Sequence, residues 1–166
     1  MEPFVGKLET IFVKECDCLT NLIPSDIQVS FSNLTELKVE DCCRLEYLFS
    51  SSTTKTLHVL KKMCVSNCES IQNMVANKDE NSITFRQLQF LSLKLLPKLE
   101  SFYSGSSILN FPSLKEVSIT ECHNMKVFCS GEAITEELTV TIDGVCMEGD
   151  LNDVIKQCLT TGSHDV

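Results

Sequence analysis

Glycine is scarce, six residues in a chain of 166, and none of the six forms GxGxxG or GxxxxGKS. The backbone loops that cradle phosphates are therefore missing, and nucleotide binding by these residues alone is not expected. Histidine is scarcer still: His58, His123 and His164 stand apart, with no carboxylate at HExxH spacing, and no serine sits in a GxSxG elbow. Since no motif pairs a nucleophile with a base, the chain is not expected to be an enzyme, and no catalytic residue, cofactor or metal is assigned. No apolar run reaches the roughly 18 residues that a membrane helix needs. Met1-Glu-Pro-Phe-Val-Gly lacks a basic region followed by an apolar stretch and a small-residue cleavage site. Nothing directs the chain into or across a membrane, and the cytoplasm is the expected location. Bases are in deficit, 14 against 23 acids, and the net charge of -9 opposes binding to nucleic acid.

What is present is enough apolar side chain, 43% of residues, to bury a core, with charged residues at 22%, near the globular average. The acidity is uneven. Residues 132–166 hold eight acids and one base, Lys156, so residues 1–131 are near balance, with 13 bases against 15 acids. That asymmetry suggests two parts, 1–131 and an acidic 132–166 of different structure.

Residues 1–131 repeat. Leu8-Ile11-Val13-Cys16-Leu19-Leu22 and Leu34-Leu37-Val39-Cys42-Leu45-Leu48 share every offset: 0, 3, 5, 8, 11 and 14. The frame returns as Leu60-Met63-Val65-Cys68-Ile71-Met74, Leu88-Leu91-Leu93-Leu96-Leu99-Phe102 and Leu114-Val117-Ile119-Cys122-Met125-Phe128. The five starts are 26, 26, 28 and 26 residues apart, and Val5, Phe31, Leu57, Phe85 and Phe111 precede them by three. Such a period is that of leucine-rich repeats. Offsets 3 and 5 point one way from a short strand, strands of successive coils must pair in parallel, and offsets 8, 11 and 14 follow the chain around the turn to the core. One coil cannot bury its own face, so stability comes from neighbours. The expected fold is an α/β solenoid: a leucine-rich repeat horseshoe with a short parallel β-sheet on the concave face, an irregular convex side and a short C-terminal helix.

Polar stretches at Ser50–Lys55, Asn77–Asn81 and Ser104–Ser107 are expected to be loops, the second taking the extra length of the 28-residue repeat. In 132–166 a degenerate sixth coil is expected to start near Glu137, with Leu138-Thr-Val140-Thr-Ile142 as its strand, after which the pattern fails. Gly149-Asp150 could cap a helix from Leu151 to about Leu159, whose Leu151, Val154, Ile155 and Cys158 share one face and would cover the end of the core.

Ten cysteines raise the question of disulfides or zinc. Cys16, Cys42, Cys68 and Cys122 occupy offset 8, where Leu96 stands in the fourth copy. A position that accepts leucine is a packing position, and stacked repeats set offset 8 in a row instead of converging four ligands on a point. Cys64 lies between two inward residues and is expected to face outward, the one thiol to test for reactivity. Asn33-Leu34-Thr35 fits the glycosylation sequon, but with no signal peptide chance explains it.

The remaining surface is the outward side of the strands, which mixes both charges with two aromatics, and solenoids present such faces to partners. Phe12, Lys14, Glu36, Lys38, Glu40, Lys62, Phe90, Lys94, Glu116 and Ser118 are the candidate partner-binding residues.

Leu34-Thr-Glu-Leu-Lys-Val-Glu-Asp-Cys42-Cys-Arg-Leu45 and Phe111-Pro-Ser-Leu-Lys-Glu-Val-Ser-Ile-Thr-Glu-Cys122-His-Asn-Met125-Lys resemble the C-terminal leucine-rich repeats of plant intracellular disease-resistance proteins of the coiled-coil, nucleotide-binding class. Leu96-Pro-Lys-Leu99 before an aromatic fits the same habit, and the likeness covers residues 4 to about 130, with Leu151-Asn-Asp-Val-Ile-Lys-Gln also similar. The resemblance implies a protein-interaction module for defence, binding a pathogen effector or a host protein modified by one. It also implies contact with the nucleotide-binding domain of the same receptor, which holds the resting state. The phosphate-binding loop and coiled coil of that class are absent here, so the alternative is a truncated, non-signalling remnant or a substrate-recognition scaffold without an immune role.

Overall fold

A computed structural model describes residues 7–23, 29–76 and 81–162, with side chains of the last helix described through Cys158. Val5, most of the expected 77–81 loop and His164 lie outside the described residues. In chain order the elements are β1 (Thr10–Lys14), β2 (Glu36–Glu40), β3 (Phe49–Ser50), α1 (Ser51–Thr54), β4 (Lys62–Ser66), β5 (Asn73–Ala76) and β6 (Ile83–Thr84). They continue with β7 (Phe90–Lys94), β8 (Ser101–Tyr103), β9 (Leu109–Phe111), β10 (Glu116–Thr120), β11 (Ala133–Thr135), β12 (Thr139–Ile142), β13 (Val145–Glu148) and α2 (Leu151–Gly162).

The molecule is a leucine-rich repeat solenoid. Its main sheet has the order β1-β2-β4-β7-β10-β12-β13, parallel up to β12. Each strand alternates, as TIFVK, ELKVE, KMCVS, FLSLK and EVSIT show, and the apolar positions turn inward. Leu34, Leu37, Val39, Cys42, Leu45 and Leu48 of the second copy are all fully buried, as are Phe85, Leu88, Leu93, Leu96, Leu99 and Phe102 of the fourth. Each such side chain contributes roughly 1.5–3 kcal/mol by leaving water.

After every parallel strand the chain turns through one left-handed residue: Glu15, Asp41, Asn67, Leu95, Glu121 and Asp143, with φ between 48° and 54°. Its N–H extends the ladder, as in Glu15 to the Glu40 carbonyl at 3.1 Å and Leu95 to the Thr120 carbonyl at 2.9 Å. Asp and Asn tolerate this conformation, whereas leucine meets its Cβ penalty in full. In four of the five repeats the next residue is the offset-8 cysteine, which donates S–H to the carbonyl two residues back: Cys16 to Lys14 at 3.3 Å, Cys42 to Glu40 at 3.2 Å, Cys68 to Ser66 at 3.3 Å. None of the ten cysteines is in a disulfide. Burial pushes the Cys68 thiol up to about 11 and raises Cys42 and Cys122 in the same direction.

Away from the sheet the coils are more ordered than their composition suggests. Two further parallel ladders form, β3-β5-β8 and β6-β9-β11. The expectation of a loop over Ser50–Lys55 is corrected: Ser50 ends β3, and Ser51–Thr54 is a helical turn with Ser50, Ser51, Thr53 and Thr54 buried. The hydroxyls of Ser50, Thr53, Thr54 and Thr56 make this possible by supplying bonds that water supplies to a loop, while the Ser51 Oγ is buried without a partner among the described residues. The Ser50 Oγ accepts from the Thr53 N–H at 3.4 Å, Thr54 Oγ1 donates to the Ser51 carbonyl, and Thr56 Oγ1 accepts from the Phe31 N–H at 3.2 Å. Behind the fourth and fifth coils, Phe85 stacks on Phe111 with centroids 5.3 Å apart, and Phe102 on Phe128 at 5.0 Å.

The far end closes differently. β12 pairs in parallel with β10, then Asp143-Gly144, at φ 48° and 83°, turns the chain into antiparallel β13. Asp150 caps α2, its Oδ1 accepting from the N–H of Asn152 at 2.9 Å and of Asp153 at 3.2 Å. The helix reaches Gly162, past the expected end near Leu159, and Leu151, Val154 and Ile155 are buried against the last coil. Asn152 then does what backbone does elsewhere. Its Oδ1 accepts from the N–H of Phe128 at 2.9 Å and of Cys129 at 3.0 Å, and its Nδ2 donates to the Gly131 carbonyl at 3.3 Å. Gly131 is needed here, since a Cβ would come within 2.5 Å of the Ser107 carbonyl oxygen.

Candidate functional site

The outward side of the main sheet is a grid fixed by strand register. One row runs Thr10, Glu36, Lys62, Phe90, Glu116, Thr139, Glu148, and the next runs Phe12, Lys38, Cys64, Ser92, Ser118, Thr141, Cys146. The third runs Lys14, Glu40, Ser66, Lys94, Thr120. All ten partner-binding candidates lie on this grid: Phe12, Lys14, Lys62, Phe90, Lys94 and Glu116 are exposed, while Glu36, Lys38, Glu40 and Ser118 are half-buried. Phe12 and Phe90 keep 55% and 42% of their surface in water, whereas the other described phenylalanines are buried.

The two halves of the grid differ electrostatically. Over β1, β2 and β4 the charges satisfy one another. Lys38 Nζ reaches Glu40 at 2.8 Å and sits 5.1 Å from the Phe12 ring centre, Lys14 lies 3.9 Å from Glu40, and Lys62 lies 3.7 Å from Glu36. Glu40 holds the Lys38 ammonium above the usual lysine range through its hydrogen bond and its charge. Over β7 and β10, Lys94 and Glu116 form no ion pair among the described residues. A shallow depression lies at this junction, lined by Lys62, Cys64, Phe90, Leu91, Ser92, Glu116 and Ser118.

Cys64 faces this depression, half-buried. Burial raises its pKa, and the charges of Lys62 and Lys38, which pull the other way, do not outweigh it. The thiol therefore stays protonated near neutral pH and is a poor nucleophile. Among the described residues no group of three or more His, Cys, Asp or Glu side chains is placed to hold a metal ion. A larger cleft is walled by the acidic C-terminal residues Glu132, Glu136, Glu137, Glu148 and Asp150, together with Ile134.

Sequence reasoning did not find the part of the face formed by Thr139, Thr141, Cys146 and Glu148. Its signal was Asp143-Gly144 between alternating stretches, the strongest short hairpin cue. No described helix is long and apolar enough to cross a membrane.

Against known proteins, residues 2–50 and 27–135 match the family model described as plant disease resistance protein RPS2-like, leucine-rich repeats. A putative disease resistance protein of Arabidopsis thaliana is 26% identical over 136 residues, which is 80% of this chain and 10% of the relative. A second from the same plant is 28% identical over 129 residues, 73% of this chain and 8% of the relative. A third, a probable disease resistance protein of Arabidopsis thaliana, is 27% identical over 96 residues, 58% of this chain and 11% of the relative. The chain thus spans about a tenth of the length of these relatives. No solved structure matches it.

Proposed function

The chain belongs to the RPS2-like leucine-rich repeats of plant disease-resistance proteins, and from that membership we propose that it is the recognition and autoinhibition region of a cytoplasmic immune receptor, working by binding protein and not by catalysis. Its partners are a pathogen effector, or a host protein modified by one, and the nucleotide-binding domain of the receptor. The outward sheet face and the 77–81 loop make those contacts.

The observation that supports this reading is one-sidedness. The inner positions of β2, β4, β7 and β10 are buried, while no described element covers the outer positions of the same strands. An extended, rigid, polar face with isolated aromatics is what a protein interface requires: anchors that lose water on contact, and a polar surround that keeps the free surface soluble.

The test is co-purification of the chain with the nucleotide-binding domain of a related receptor at moderate salt. A variant carrying Lys38→Glu, Glu40→Lys, Lys94→Glu and Glu116→Lys is the comparison. Charge reversal is expected to abolish retention while leaving the melting temperature nearly unchanged, because all four side chains are outside the core. Full retention by the variant contradicts the reading.

A further inference from the structure

We propose that the depression on the sheet face is the seat of an extended basic–apolar segment of a partner protein, laid across the strands. The inference rests on the sheet being the interaction face and assigns the chemistry of what binds there.

The floor of the depression is Cys64, Ser92 and Ser118, small side chains on three successive strands, and the register continues that row through Thr141 and Cys146. The five strands at the usual spacing span about 19 Å, the length of about six extended residues. On one side Lys62, Phe90, Glu116, Thr139 and Glu148 stand along it. Small residues alone would define nothing; here the register places a 42%-exposed phenyl ring and a carboxylate without an ion pair directly beside one another at the depression.

Charge settles the polarity of the occupant. Lys62 is already engaged by Glu36 at 3.7 Å, so a carboxylate on a partner would compete for a neutralised ammonium. Glu116 has no such partner, and toward β13 the surface holds Glu148, with Asp143 and Glu121 at the strand ends, all exposed. Lys94 is the one base on the grid in that direction. A segment with an apolar side chain against Phe90 and the Ser92–Ser118 floor, followed by Lys or Arg over Glu116 and toward Glu148, answers every feature of the trough. An acidic segment answers none beyond Lys94. In the other half of the face the outward-row carboxylates Glu36 and Glu40 lie within ion-pair distance of Lys62, Lys14 and Lys38.

The test uses isotope-labelled chain titrated with two short blocked peptides, one alternating Leu and Lys, the other alternating Leu and Glu. The Leu-Lys peptide is expected to shift the amides of Cys64, Ser92, Ser118 and Thr141. Its affinity is expected to fall about tenfold in Glu116→Lys, which exchanges an attraction for a repulsion, and to be lost in Ser118→Trp, which fills the floor. Equal binding of both peptides, or of neither, overturns the proposal. Shifts confined to Phe12 and Lys38 overturn it while leaving the sheet as the interface; shifts confined to residues off the sheet overturn both readings. Because Glu116 and Ser118 point away from the core, an unchanged amide spectrum elsewhere verifies that each variant is folded.

Discussion

The first and second coils are written in the same six-residue code and end up in different physical states. Leu34, Leu37, Val39, Cys42, Leu45 and Leu48 have no measurable exposure, whereas Ile11, Val13, Cys16, Leu19 and Leu22 are only partly buried and Leu8 keeps 42% of its surface in water. Local sequence cannot account for the contrast, since the offsets are identical. Neighbours do: β2 lies between β1 and β4, but β1 has β2 on one side only among the described residues. In a solenoid the worth of a leucine is set by the coils that flank it. The other end shows how such an edge is closed, with a hairpin strand, the buried face of α2, and the Asn152 amide standing in for the next coil's backbone.

The sharpest way to break the comparison is to delete the same side chain from each coil. Leu45→Ala is expected to destabilise the chain by about 3 kcal/mol, as a cavity in a filled core does, and Leu19→Ala by about 1 kcal/mol, because its site is already partly hydrated. Urea unfolding measures both, and equal losses would refute the neighbour argument. At the closed end, Asn152→Ala leaves the Phe128 and Cys129 N–H groups unpaired and is expected to cost about 2 kcal/mol. Asn152→Asp keeps the acceptor but loses the bonds to the Gly131 carbonyl and the Cys129 Sγ and sets a carboxylate oxygen against that carbonyl, so it is expected to cost about the same.

The interior thiols give the comparison a pH axis. A Cys68 pKa of about 11 in the folded chain, above its ordinary value of 9.0, means the unfolded chain releases that proton first as pH rises. Stability from this group is therefore complete below about pH 9 and is lost as pH climbs through 11, on the order of 2–3 kcal/mol. Cys68→Ala is expected to flatten the alkaline limb of a melting-temperature profile. The smallest effect belongs to the turns: Leu95→Asn should stabilise by about 1 kcal/mol, since asparagine accepts the left-handed conformation that Asp41 and Asn67 already occupy.

The fold was legible where burial imposes a period. Offsets 3 and 5 announced the strands and offset 8 the packed thiols, because inward positions admit only apolar or small groups. Ser50–Thr54 misled, since the hydroxyls of Ser50, Thr53 and Thr54 are buried by bonding to one another and to backbone, a pattern that looks the same in sequence as a solvated loop. The two side ladders were silent for a related reason: strands of two to four residues are too short to show alternation. The hairpin into β13 was readable from Asp143-Gly144, and with it Thr139, Thr141, Cys146 and Glu148 join the face. The depression was not readable, because it depends on which residues become lateral neighbours across β4, β7 and β10.

Hydroxyl-radical footprinting of the chain alone and bound to the nucleotide-binding domain of a related receptor tests the sheet face most directly. Phe12 and Phe90, the exposed aromatics of that face, should be shielded in the complex, while Ile108, Ile134 and Val145, exposed at 42%, 43% and 60% but not among the outward positions of the parallel strands, should oxidise as in the free chain. Unchanged oxidation of Phe12 and Phe90, with shielding of Ile108 or Ile134 instead, would place the interface elsewhere and contradict the account.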